Sequence, residues 1–212
     1  RFGANAGNSI LDGGDNNVLI GDEAGTAITT GDRNTAVGYA ALQTEDANGQ
    51  NTAIGYAALN TLNAGTTGYN VAVGNDAGKL MTTGVQNTLI GALAGDHITT
   101  GGANVALGYA CLTSDTKGNN SVAIGRNALL MQNLTTATDV YNTAVGSAAG
   151  QQITTGINNT LIGALAGDAL TDADYNVALG YQALTTDTLG SQSVAIGYRT
   201  LANQNFDSAT NS

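Results

Sequence analysis

A five-residue phrase recurs along this chain in the order polar, β-branched, small or leucine, branched, glycine. Examples are Asn34-Thr-Ala-Val-Gly38, Asn104-Val-Ala-Leu-Gly108 and Asn142-Thr-Ala-Val-Gly146. The anchoring glycines are Gly21, Gly38, Gly55, Gly74, Gly91, Gly108, Gly125, Gly146, Gly163, Gly180 and Gly197; eight of the ten intervals between them are 17 residues, the others 19 and 21. A unit this short cannot bury a core of its own, so each copy must stack on its neighbours. The pattern predicts an all-β parallel β-solenoid of about 12 coils of 17 residues. At ~4.8 Å per coil the shaft would be on the order of 55–60 Å long.

Position −1, counted from each glycine, is always Val, Ile or Leu, and position −3 is Val or Thr. Their branching suits a strand rather than a helix. They share a parity, and their bulk predicts that they point inward. Position −4 is Asn, or Ser at Ser121 and Ser193, and stacked amides there predict a hydrogen-bonded ladder along the axis. The glycine itself predicts a tight corner. Position −2 has the opposite parity and is Ala or Leu throughout: Leu19, Ala36, Ala53, Ala72, Leu89, Ala106, Ala123, Ala144, Leu161, Ala178 and Ala195. A strand apolar on both faces is normally covered on both, so this row is expected to be an outward assembly face that packs against another copy.

Beyond the glycine, position +3 is Ala in nine coils, with Cys111 and Thr200 as the exceptions. Position +4 alternates in pairs: Gly25, then Leu42 and Leu59; Gly78 and Gly95, then Leu112 and Leu129; Gly150 and Gly167, then Leu184 and Leu201. Four coils therefore form a larger unit. The two long intervals predict loops that bulge from the shaft after Leu59 and after Leu129.

The repeat runs nearly end to end, giving one solenoid domain over 1–203 and a linker or the start of a next coil over 204–212. The next glycine would fall near position 214, so the chain reads as a fragment or a processed product. The net charge of −10, with six scattered Lys and Arg, argues against nucleic acid as a partner. No apolar run approaches the ~20 residues of a membrane-spanning helix, so no membrane insertion is expected. With no Pro, 30 Gly and ordered apolar positions, the chain is not a disordered one.

The phrase Asn120-Ser-Val-Ala-Ile-Gly125, nearly repeated as Gln192-Ser-Val-Ala-Ile-Gly197, resembles the head repeat of trimeric autotransporter adhesins. The longer form Asn34 to Leu42, preceded by Thr29-Thr30-Gly31 and echoed at 51–59 and 176–184, is similar to repeats of phage tail-fibre proteins. The resemblance covers about residues 2–203. It implies a left-handed β-roll, a homotrimer, and a structural fibre segment of a phage tail or cell-surface appendage. Such a segment carries or forms a surface for attachment to a host glycan or protein receptor, on the virion tail or outside the cell. The 17-residue period favours the fibre over the adhesin head, whose typical coil is shorter. Rival readings are that adhesin head, a self-polymerising extracellular filament, and a polysaccharide-depolymerising spike.

No catalytic constellation, cofactor motif or metal motif emerges, and the expectation is a protein that is not an enzyme. His97 is the single histidine and reads as a loop residue, since metal sites need several ligands per chain. Cys111 sits in the alanine slot and reads as a small packing residue. Asp168, Asp172 and Asp174 crowd one turn, as do Asp22 and Glu23, and both clusters read as solvated acidic turns. Tyr39, Tyr56, Tyr109, Tyr181 and Tyr198 directly follow their glycines; they predict short stacked ladders, with packing favoured over a glycan-binding surface. The Thr pairs at 29–30, 82–83, 99–100 and 154–155 are too interrupted for an ice-binding array. The sequons at Asn119, Asn133 and Asn158 are expected by chance in so Asn- and Thr-rich a chain.

Overall fold

A computed structural model describes residues 2–206. The described residues contain no helix. Eleven three-residue strands form one parallel sheet: β1 (Val18–Ile20), β2 (Thr35–Val37), β3 (Thr52–Ile54), β4 (Val71–Val73), β5 (Thr88–Ile90), β6 (Val105–Leu107), β8 (Val122–Ile124), β10 (Thr143–Val145), β11 (Thr160–Ile162), β12 (Val177–Leu179) and β13 (Val194–Ile196). Each pairs only with its neighbours in the stack, in the order written. Registers such as Thr35↔Thr52, Ala36↔Ala53 and Val37↔Ile54 keep every position of the repeat in a straight row. The chain is thus a β-solenoid of about eleven turns, near the twelve expected; before the first full strand, Phe2 bridges Ile20. The 21-residue interval contributes to a second small sheet, in which β7 (Gly118–Asn119) of the preceding coil pairs with β9 (Thr138–Asp139) inside the interval.

The strand face points the other way from the sequence expectation. Position −2 is buried in every coil, from Ala36, Ala53, Ala72 and Leu89 at 0% exposure to Leu19 at 3%. The rows at −3 and −1 lie outside, with Val18, Ile20, Ile54, Ile90, Leu107, Ile162, Leu179, Val194 and Ile196 all exposed. Leu19, Ala36, Ala53, Ala72, Leu89, Ala106, Ala123, Ala144, Leu161, Ala178 and Ala195 are therefore core residues and not an assembly face. Parity separates two sets of residues without saying which one is inside. Here the interior behind the strand is narrow, and it takes the small residues.

That narrowness explains the four-coil unit. At position +4 the backbone is left-handed whichever residue stands there: φ is 56–59° at Gly25, Gly78, Gly95, Gly150 and Gly167, and 48–56° at Leu42, Leu59, Leu112, Leu129, Leu184 and Leu201. Conformational freedom is thus not why glycine occurs; space is. A Cβ added at Gly78 would lie 2.8 Å from Leu89 Cδ1, and one at Gly95 would lie 2.9 Å from Leu89 Cδ2. One leucine from the strand fills the room left by two glycines. Leu161 does the same between Gly150 and Gly167, and Leu19 between Gly7 and Gly25. Where the strand offers only Ala, as at Ala53 and Ala123, the leucine comes from +4 instead (Leu59, Leu129). Both solutions fill the same volume at close-packed density.

The anchoring glycines do need to be glycine. Their φ lies between 122° and 142°, and a Cβ on Gly91 would sit 2.2 Å from the carbonyl oxygen of Gly108 in the next coil. The corner and the closeness of the stack are set by the same residue.

Candidate assembly surface and the buried polar network

The outward rows −3 and −1 form an unbroken strip of Val, Thr, Ile and Leu along the whole sheet. Its two borders are the corner positions −5 and +1. All eight tyrosines of the chain stand on these borders: Tyr69, Tyr141 and Tyr175 at −5, and Tyr39, Tyr56, Tyr109, Tyr181 and Tyr198 at +1. Each is about half exposed, except Tyr198, which is 71% exposed at the end of the stack. The expected ladders form as pairs: the rings of Tyr39 and Tyr56 stack at 5.4 Å, and those of Tyr181 and Tyr198 at 5.8 Å. Tyr109 is followed in its row by Arg126. The sequence reading missed the other border, although the signal was there: Tyr69, Tyr141 and Tyr175 each precede the ladder Asn.

Charge is distributed against this face. Of the 16 Asp and Glu residues, only Asp22 lies in the eleven windows that run from −5 to +1, and only Arg33 and Arg126 of the six Lys and Arg do. Among the other described acids, Glu45, Asp115 and Asp187 are buried inside the shaft and the rest lie outside these windows. Taking strands at about 4.8 Å spacing and about 3.3 Å per residue, the strip with its borders measures roughly 50 by 20 Å, or about 1,000 Å². A standard stable interface buries about 800 Å² per partner.

Inside the shaft, the predicted asparagine ladder is present. Asn34 Oδ1 accepts from the Asn51 backbone N–H at 3.0 Å, and Asn87 Oδ1 from that of Asn104 at 3.0 Å. Most of these amides also donate to a carbonyl of the next coil, as Asn104 Nδ2 does to Gly118 O at 2.9 Å, while Asn51 Nδ2 donates to Gly49 O at 3.3 Å. Buried polar groups are tolerated in this way because all are paired.

The two serine interruptions are repaired from a position the sequence reading did not single out. Seven residues after the glycine, the interior slot holds Ile28, Leu62, Met81, Ile98, Ile153 or Leu170 in most coils, but Glu45, Asp115, Gln132, Asp187 and Gln204 in the rest. All of these except Gln204 have 0% exposure. Gln132 donates to Asp115 at 2.6 Å and to Ser121 Oγ at 3.0 Å, while its Oε1 accepts from Asn142 Nδ2 at 3.0 Å. This last bond replaces the one Asn51 Oδ1 accepts from Asn70 Nδ2 at 3.2 Å in the first unit. The Asp115 carboxylate also accepts from the Gly118 and Leu134 N–H groups at 3.0 and 3.1 Å. Asp187, Gln204 and Ser193 repeat the arrangement.

Glu45 lacks this support, because the next coil offers Leu62 rather than Gln. It accepts from Asn48 Nδ2 at 3.1 Å and, at 3.5 Å, from the Ala64 N–H. Burial pushes its carboxyl above the usual range, and these hydrogen bonds offset that only in part. A raised folded-state value means that the protonated form is the one the fold favours. The contribution of Glu45 to stability is thus fully present below about pH 4.5, its ordinary value, and is lost as pH rises through the folded value. Glu45→Gln is expected to raise the thermal midpoint at pH 7 and to leave it unchanged near pH 4, as scanning calorimetry of both proteins at the two pH values will test.

The remaining candidates take structural places. His97 is exposed, with Nδ1 3.1 Å from Asp96 Oδ1. Cys111 is buried, donates to Gly108 O, and has its thiol pushed up to about 12 by burial. Asp168, Asp172 and Asp174 accept from Thr185, Thr155 and the Ile157 N–H, each in an adjoining coil. Among the described residues no group of three or more His, Cys, Asp and Glu could hold a metal ion, and no helix is long and apolar enough to cross a membrane. Comparison with family models, curated proteins and solved structures yields no match.

Proposed function

We propose that this chain is a structural segment of a fibre, in a phage tail or a similar cell-surface appendage. In this reading copies associate side by side through the exposed strand face, three of them by the resemblance drawn from the repeat. The bundle holds or forms a surface for attachment to a host glycan or protein receptor, at the virion tail or outside the cell. The observation that carries the reading is the apolar strip along eleven strands, almost free of charge on a chain whose net charge is −10. Strips of this size on a soluble protein are interaction sites. Lateral association would cover the strip and keep the acidic sides apart in solvent. Light scattering at several concentrations tests it: a fixed mass of three chains is expected. A single-chain mass at every concentration would overturn the reading, and growth with concentration would replace the closed bundle by a filament.

A further inference from the structure

We infer that the two tyrosine borders of the strand face meet each other across the interface between copies, +1 of one copy against −5 of the next, at the same level of the stack. The inference rests on the lateral association proposed above, and its partner is a second copy of this chain. Three observations point to it. Every tyrosine of the molecule stands on one border or the other and nowhere else. Tyrosine is enriched at interfaces, where its ring is covered and its hydroxyl stays wet. Packing against the chain's own core does not account for these rings, since about half or more of each is exposed.

The second observation is complementarity of size within each coil. In two of the three coils where −5 is a tyrosine, +1 is small: Tyr69 goes with Asn75, and Tyr141 with Ser147. Where +1 is a tyrosine, −5 is another residue in four coils out of five, as in Tyr109 with Ala103 and Tyr56 with Gln50. The exception is Tyr181 with Tyr175. Most levels that carry a tyrosine therefore offer one large ring and one smaller counterpart, as an edge-to-edge contact between identical copies requires. The third observation is the symmetry. A rotation axis parallel to the stack carries the +1 border of one copy onto the −5 border of the next, level with level. An axis across the stack would instead pair distant levels and lose the match.

Cysteine pairs test this on the full chain. Cys111 can stay, since its buried thiol is out of reach. In Tyr141→Cys/Ser147→Cys, mild oxidation or a short bismaleimide is expected to link the chains of one native assembly into a closed covalent set. Each single variant should stay unlinked, and so should the offset pair Tyr141→Cys/Ala164→Cys. The pair Tyr69→Cys/Asn75→Cys repeats the test at another level in case the first does not fold. Three-chain native mass without links in either level pair, or links in the offset pair, overturns the inference and leaves the lateral association standing. A single-chain mass removes both.

Discussion

Replacing Leu89 by alanine is expected to destabilise the solenoid by about 2–5 kcal/mol, toward the upper end of the range for buried leucines. The cost depends on how well the site can collapse, and here it cannot. Leu89 fills the room beside two glycines, with Cδ1 toward Gly78 and Cδ2 toward Gly95, so no side chain on either is present to move in. The sharper test lies in the sign of a second change. Gly95→Leu in the native background overpacks the site, since its Cβ alone would sit 2.9 Å from Leu89 Cδ2 and 2.8 Å from Ile98 Cδ1, and is expected to destabilise by about 1–3 kcal/mol. In Leu89→Ala, adding Gly95→Leu and Ile98→Leu copies the trio Ala53, Leu59 and Leu62 and should recover part of the loss. Denaturant midpoints of the series measure it; a Gly95→Leu effect independent of residue 89 would show that the two positions do not share a volume.

The same volume exchange marks what was legible in the sequence. The 17-residue period, the anchoring glycines and the asparagine ladder could be read directly, because each rests on a fixed spacing and a residue with one special property. The facing of the strand could not be read from alternation alone, since both parities are apolar. Bulk suggested that Val37 and Ile54 pointed inward, and the structure puts Ala36 and Ala53 there. A signal did exist: Leu19, Leu89 and Leu161 occur only in coils with glycine at +4, and a size exchange between two positions implies that they touch. Read that way, position −2 must share the interior with +4, and the outward face follows. The tyrosine border at −5 was hidden for another reason, because Arg33, Gln50 and Ala103 occupy the same row and give it no single chemical character. Assembly is not written in any one residue type here; it lies in which rows the fold leaves outside.

Gln132→Leu is expected to cost about 3 kcal/mol or more, although leucine is the native residue at the equivalent Leu62. Context decides between the two coils. Around Leu62 the ladder is complete, with Asn51 Oδ1 accepting from Asn70, whereas around Gln132 the ladder residue is Ser121, whose side chain has no carbonyl oxygen to offer. Gln132 stands in for that oxygen toward Asn142 and at the same time donates to the buried carboxylate of Asp115. Removing it withdraws one of the three donors to the fully buried Asp115 carboxylate and one of the two acceptors of the Asn142 amide, and unpaired buried groups bear the full cost of their lost hydration. Adding Ser121→Asn to Gln132→Leu restores the ladder oxygen but not the donor to Asp115, so about half of the loss should return. Leu62→Gln together with Asn51→Ser transplants the pair into the first unit, where Glu45 would gain the donor it lacks, and this exchange should cost less than either change alone. Chemical denaturation of the single and double variants measures the coupling. Additive effects at both sites would mean that the serine and the glutamine do not act as one device, and that the repeated Asp–Gln–Ser cluster is three separate substitutions.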